Sequence, residues 1–138
     1  MRYGQVMLTM GFTLLLTLMV GAAEKPSPEY VKAMKDLSGV MQALDHPGAA
    51  EDFALGERSA ATAKQALAII RKYWDAKVTT DAVKLADVGI KAAIDLGVAA
   101  SLSSAEGVEV AVKDLGATCT ACHKAHRDKL ADGSFEIK

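Results

Sequence analysis

The stretch "VEVAVKDLGATCTACHKAH" (residues 108–126) places Val108, Val112, Leu115, Cys119, Cys122 and His126 at steps of three and four. That spacing lines them along one stripe of an α-helix. In "SSAE" just upstream, Ser103 and Glu106 have capping-box spacing, so the helix is expected to start there. It is expected to run to about Ala131, with Asp132-Gly133 as its stop. One amphipathic helix cannot bury its own stripe, so the rest of the chain must supply the cover.

Three further segments read the same way. "SPEY" puts Ser27 at an N-cap and Pro28 at the first helical position, and the helix that follows runs to about Asp45, before "HPG" at 46–48. Its stripe is Tyr30, Met34, Leu37, Met41 and Leu44. A second helix spans about Ala49 to Trp74, with Phe53, Gly56, Ala60, Ala63, Leu67, Ile70 and Trp74 facing inward. Its middle is small-sided, which permits either close helix approach or space for a group that is not protein. "DAKVTT" connects to a third helix from Asp81 to about Ala100, capped by Thr80, with Val83, Ile90, Ile94 and Val98 on its stripe. Four amphipathic helices with short connections predict an all-α, antiparallel four-helix bundle.

Composition agrees. The 138 residues are 51% hydrophobic but only 5% aromatic, a balance that Ala-rich helices produce and β-sheets do not. Residues 1–23, "MRYGQVMLTMGFTLLLTLMVGAA", combine a positive charge at Arg2, an apolar run from Val6 to Val20 and small residues at the end. That is the pattern of a cleaved secretory signal peptide, leaving one domain over residues 24–138 in an oxidising, periplasmic setting without a membrane span. The formal net charge of −1 becomes one unit more negative when Arg2 is lost, which offers nothing to a nucleic acid.

Export makes a disulfide the ordinary expectation for the two cysteines. The spacing argues otherwise. A bridge between Cys119 and Cys122 closes a very short loop and contributes little. A redox C-x-x-C normally opens a helix that follows a strand, and zinc needs four ligands, which one Cys pair does not supply. Covalent haem uses all three residues of C-x-x-C-H: Cys119 and Cys122 as thioether tethers, His123 as the iron ligand from the same side. On a helix these three project together.

No methionine follows His123, and four of the six, Met1, Met7, Met10 and Met19, lie in the leader. Met34 and Met41 remain, about 10 Å apart along their helix, so one iron can meet only one of them. His46, beside Pro47 at a helix end, ranks below both. Trp74 is read as a core cap, His126 as pocket lining, and Lys113, Lys124 and Lys129 as charges around the last helix.

"GATCTACHKAHRDK" (116–129) on the last helix of an exported four-helix chain resembles the class II cytochromes c, the family of cytochrome c′ and its low-spin relatives. In that family an aromatic and then an arginine follow the haem motif after two residues; here those places hold His126 and Arg127. The low-spin branch draws its sixth ligand from the first helix in a pattern similar to "MKDLSGVM" (34–41). By that likeness Met34 is the distal ligand and Met41 is packing. The resemblance implies one covalently bound haem c, Arg127 near a propionate, and an electron-transfer protein rather than an enzyme, exchanging single electrons with redox partner proteins. It also implies that a homodimer through the first two helices is open to the chain. The rival within the family is five-coordinate iron that binds nitric oxide, with Met34 off the metal.

Overall fold

The structure, a computed structural model, describes residues 25–138, so the predicted leader lies outside the described residues. Four α-helices follow in chain order: α1 (Pro28–Leu44), α2 (Phe53–Ala76), α3 (Thr80–Ser101) and α4 (Ala105–His126). They pack up-down-up-down. The α2–α3, α3–α4 and α1–α2 pairs make the main contacts, whereas α1 and α4 barely meet. Among the described residues no helix is long and apolar enough to cross a membrane.

The helix starts show how local chemistry sets the boundaries. Ser27 accepts from the Tyr30 amide at 3.2 Å, with Pro28 in the first turn, as expected. The second helix begins later than its pattern implied: Ala49–Glu51 form a single 3-10 turn, and Asp52 caps α2 by accepting from the Leu55 amide at 2.9 Å. At α4 the cap is Ser104, which accepts from the Gly107 amide, and not Ser103. Ser103 instead takes the left-handed φ of 54° that turns the chain out of α3. Thr79 precedes α3 without a side-chain cap, so Thr80 is its first helical residue.

The far end of α4 departs most from expectation. It stops at His126, and Arg127 leaves in extended conformation with its amide donating to the His123 carbonyl. Residues 127–129 (β1) then pair antiparallel with 135–137 (β2), Arg127 opposite Ile137. The Asp132-Gly133 signal makes the hairpin turn rather than a helix cap. Gly133 carries φ of 85°, and Asp132 accepts from the Ser134 amide at 2.9 Å and hydroxyl at 2.6 Å. Those bonds hold the Asp132 carboxyl below its ordinary range. The described chain is therefore mostly helical with a small hairpin, not purely helical.

Leu37, Leu67, Ile70, Leu96, Val108 and Leu115 fill the middle of the bundle. One end is aromatic: Trp74, 2% exposed, meets Tyr30, Tyr73 and His126 with ring centroids 6.2, 5.3 and 4.9 Å away. Between α2 and α3 the core is built of alanine and glycine. A Cβ on Gly56 would lie 2.9 Å from the Ala100 methyl, and one on Gly97 would lie 3.3 Å from that of Ala60. The small middle of α2 is thus spent on close helix approach, and no α2 residue lines the main cavity. On α3 the inward face is Ala82, Ala86, Gly89, Ala92, Ala93 and Leu96. Ile94 and Val98 point outward, 48% and 52% exposed, because close packing admits only the smaller residues.

Candidate cofactor cavity

Where α1 and α4 stand apart, they enclose a cavity of about 540 Å³, within the ~300–1,000 Å³ of cofactor and ligand sites. Its α4 wall carries Cys119, Cys122, His123 and His126; its α1 wall carries Tyr30, Met34, Leu37 and Met41. The hairpin contributes Phe135, Glu136 and Ile137, and Arg127 stands at the junction. The residues singled out for a haem therefore face one space. His46 does not: it is exposed in the turn after α1, with Nδ1 3.0 Å from the Pro47 carbonyl oxygen.

The registers of the two walls can be matched. Tyr30 packs on Trp74, which packs on His126, so the start of α1 lies level with the end of α4. Further down, the Met41 methyl lies 3.4 Å from where a Gly116 Cβ would stand. Antiparallel helices with equal rise then set Met34 opposite the turn of Cys122 and His123, and Met41 more than a turn lower against the α4 backbone.

Both thiols are free and half-buried. Burial pushes Cys119 and Cys122 above the ordinary thiol range, and their mutual proximity adds to this at Cys122. Burial and then the Arg127 charge hold His123 below the ordinary imidazole value. At neutral pH the site therefore offers two protonated thiols and a neutral imidazole with a free lone pair. Burial, and then Cys122, push the Tyr30 hydroxyl far up. Among the described residues no three His, Cys, Asp or Glu side chains converge on a metal-sized point. The α4 wall is instead two thiols and two imidazoles, His123 and His126, facing the thioethers of Met34 and Met41.

Two expected roles change in detail. A helix running to Ala131 would carry Arg127 one turn beyond His123 on the same side. Because α4 has ended, its guanidinium instead stacks over the Phe135 ring, 3.9 Å from the centroid, at the cavity edge. His126 lines the cavity as expected and also ties α4 to its neighbours: it stacks on Trp74, and its Nε2 lies 3.0 Å from Asp81 Oδ2. That approach is too oblique for a hydrogen bond, so it counts as a charge contact only when the ring is protonated. Lys113, Lys124 and Lys129 are exposed, outside the lining.

Lys35 and the hairpin residues were missed. "DGSFEI" (132–137) does carry the hairpin signal, an Asp-Gly turn before alternating apolar residues. Lys35 follows Met34 on α1 and carries no sequence mark beyond that adjacency. Comparison of the chain with protein-family models, with curated proteins and with solved structures gives no match. The site is accordingly read from its own geometry.

Proposed function

We propose that the chain is an exported, monohaem c-type electron carrier, related to the low-spin branch of the class II cytochromes c. One observation carries the proposal. Cys119, Cys122 and His123 share one wall of a cofactor-sized cavity, and Met34 faces them at the same level from the other. A thiol cluster with another purpose has no need of an apolar chamber or of a thioether opposite an imidazole.

In this reading Cys119 and Cys122 hold the macrocycle. Their free thiols would supply two thioether bonds, each S–H adding across a carbon–carbon double bond with no net exchange of electrons. His123, kept neutral by burial and Arg127, presents its lone pair to iron. Met34 would offer a soft thioether sulfur to the iron from the facing wall, and Met41 fills space against Gly116. Arg127 and Lys35, both lining the cavity, are the cations that would pair with propionate carboxylates. Bound there, the haem contributes a one-electron iron couple. The chain's levers on its potential are the His/Met pair and burial between the helices.

The absorption spectrum of the purified protein tests this. Low-spin bands, with the weak far-red band of iron–thioether ligation in the oxidised form, are expected. Met34→Ala should turn the spectrum high-spin. Met41→Ala should leave it low-spin while costing about 2 kcal/mol of stability, the low end for Met truncations, because Met41 is only partly buried. High-spin bands in the unmutated protein that shift with nitric oxide would replace the carrier by a gas-binding protein. Absence of haem would end both.

A further inference from the structure

At the end of the bundle away from the cavity mouth, α3 and α4 form a second concave surface, of about 460 Å³. Its floor is small-sided. Ala99, Gly107 and Ala111 bring the two helices together there, and a Cβ on Gly107 would lie 2.9 Å from the Ala99 methyl. The walls are large, apolar and open to water: Val98, Leu102 and Val110 are 52%, 73% and 55% exposed. Around them the rim is acidic, with Asp95, Glu106 and Asp114 lining the groove and neither lysine nor arginine among the lining residues. Asp95 is held by Lys91, whereas Glu106 and Asp114 have no ion-pair partner among the described residues. A contiguous apolar strip inside a polar rim marks an interaction surface.

Shape and charge together select the occupant. Both walls are helices whose backbone groups bond within their own helix, so an extended segment would find no free edge to pair with. A helix satisfies its own backbone and can lay an apolar stripe into the groove. Glu106 and Asp114 stand eight residues apart on α4, about 12 Å along its axis, which two bases about two turns apart on an incoming helix would answer. An anionic bilayer would meet like charge here, and a second copy turned about a two-fold axis would set acid against acid. We propose that this groove docks a basic amphipathic helix of a partner protein, its apolar stripe on Val98, Leu102 and Val110 and its bases on Glu106 and Asp114. The docking is independent of what fills the cavity. Val110 precedes Cys122 by twelve residues, about 18 Å along α4, so a docked helix leaves the cavity mouth free.

The test uses the purified protein and two fluorescent 14-residue peptides, each with leucine along one helical stripe and either lysine or glutamate at every other position. Fluorescence anisotropy should show the lysine peptide saturating at one per chain. The glutamate peptide should bind at least tenfold more weakly, and about 0.5 M sodium chloride should weaken the lysine peptide as much. Leu102→Ser/Val110→Ser, both at exposed positions, should weaken it at least fivefold with an unchanged circular dichroism spectrum. Glu106→Lys/Asp114→Lys should invert the preference between the peptides, whereas Glu51→Lys/Glu57→Lys, the same change of charge on exposed residues outside the groove, should leave it unchanged. Absence of saturation, equal loss in the two charge-reversed variants, or indifference to Leu102→Ser/Val110→Ser would each overturn the proposal. A doubled mass without peptide that Leu102→Ser/Val110→Ser abolishes would give the groove to a second copy instead.

Discussion

Glycine-to-alanine substitution at two helix positions should shift stability in opposite directions. Gly39 sits on the exposed side of α1, and a Cβ there meets nothing within 4 Å. Gly39→Ala should therefore realise the helix preference of alanine alone, stabilising by about 0.8–1 kcal/mol. Gly89 sits inside α3, where the same methyl would lie 3.0 and 3.3 Å from the two Leu67 δ-carbons and 3.4 Å from the Thr118 γ-methyl. Leu67 is itself buried, so its tip has little room to retreat. Overpacking of this kind costs about 1–3 kcal/mol. Set against the propensity gain, Gly89→Ala should destabilise by about 1 kcal/mol, and for a domain of this size each such step moves Tm by about 4 °C. Thermal melts of the two variants beside the parent give the answer directly. If both variants melt higher by the same amount, α2, α3 and α4 are not closely packed at Gly89, and the account of the alanine-rich interior is wrong. Thr118 also adjoins Cys119, so Gly89→Ala should disturb the cavity wall where Gly39→Ala does not.

With the cavity residues free of any ligand, the protein should be most stable between pH 6.5 and 9.0, the ordinary values from which His123 is lowered and the two thiols are raised. Below that window the unfolded chain takes up the imidazole proton first; above it the unfolded thiols ionise first, so stability falls on either side. In urea titrations His123→Gln should flatten the acid limb and Cys119→Ser/Cys122→Ser the alkaline limb; unchanged limbs would mean that burial does not govern these groups. At the start of α4, Ser104→Ala should cost about 1 kcal/mol through loss of its cap. Ser103→Gly should instead raise stability, by up to about 1 kcal/mol, through relief of its left-handed backbone. The reverse order would return the cap to Ser103.

Periodicity carried the helices well because a buried stripe on a bundle helix has to repeat at three and four. It misjudged the direction of α3, where Ile94 and Val98 resemble core residues but alanines and Gly89 take the interior. Hydrophobicity alone favours the larger side chain; the short separation between α2 and α3 does not admit it. The end of α4 was misread for a different reason. "ADG" suits either a helix stop or a tight turn, and only the pairing of 127–129 with 135–137, a non-local event, decides between them. In the cavity, the shared placement of Cys119, Cys122 and His123 was legible because residues three and four apart on a helix lie on one face. The convergence of Met34 with them was not readable from spacing, since it depends on how α1 and α4 are matched across the bundle.

Pro26 and Ile137, near the two ends of the described chain, both line the cavity. Lys138 closes this arrangement with its amide donating to the His126 carbonyl at 3.2 Å and its ammonium 2.9 Å from Asp128. A purification tag, fluorophore or fusion partner attached at either end would accordingly crowd the mouth of the cavity, the face that the proposed electron carrier would use. The turns at 46–48 and 102–104 lie at the other end of the bundle. A surface cysteine or short insertion there would be the attachment point for mounting the protein on an electrode with its cavity turned outward.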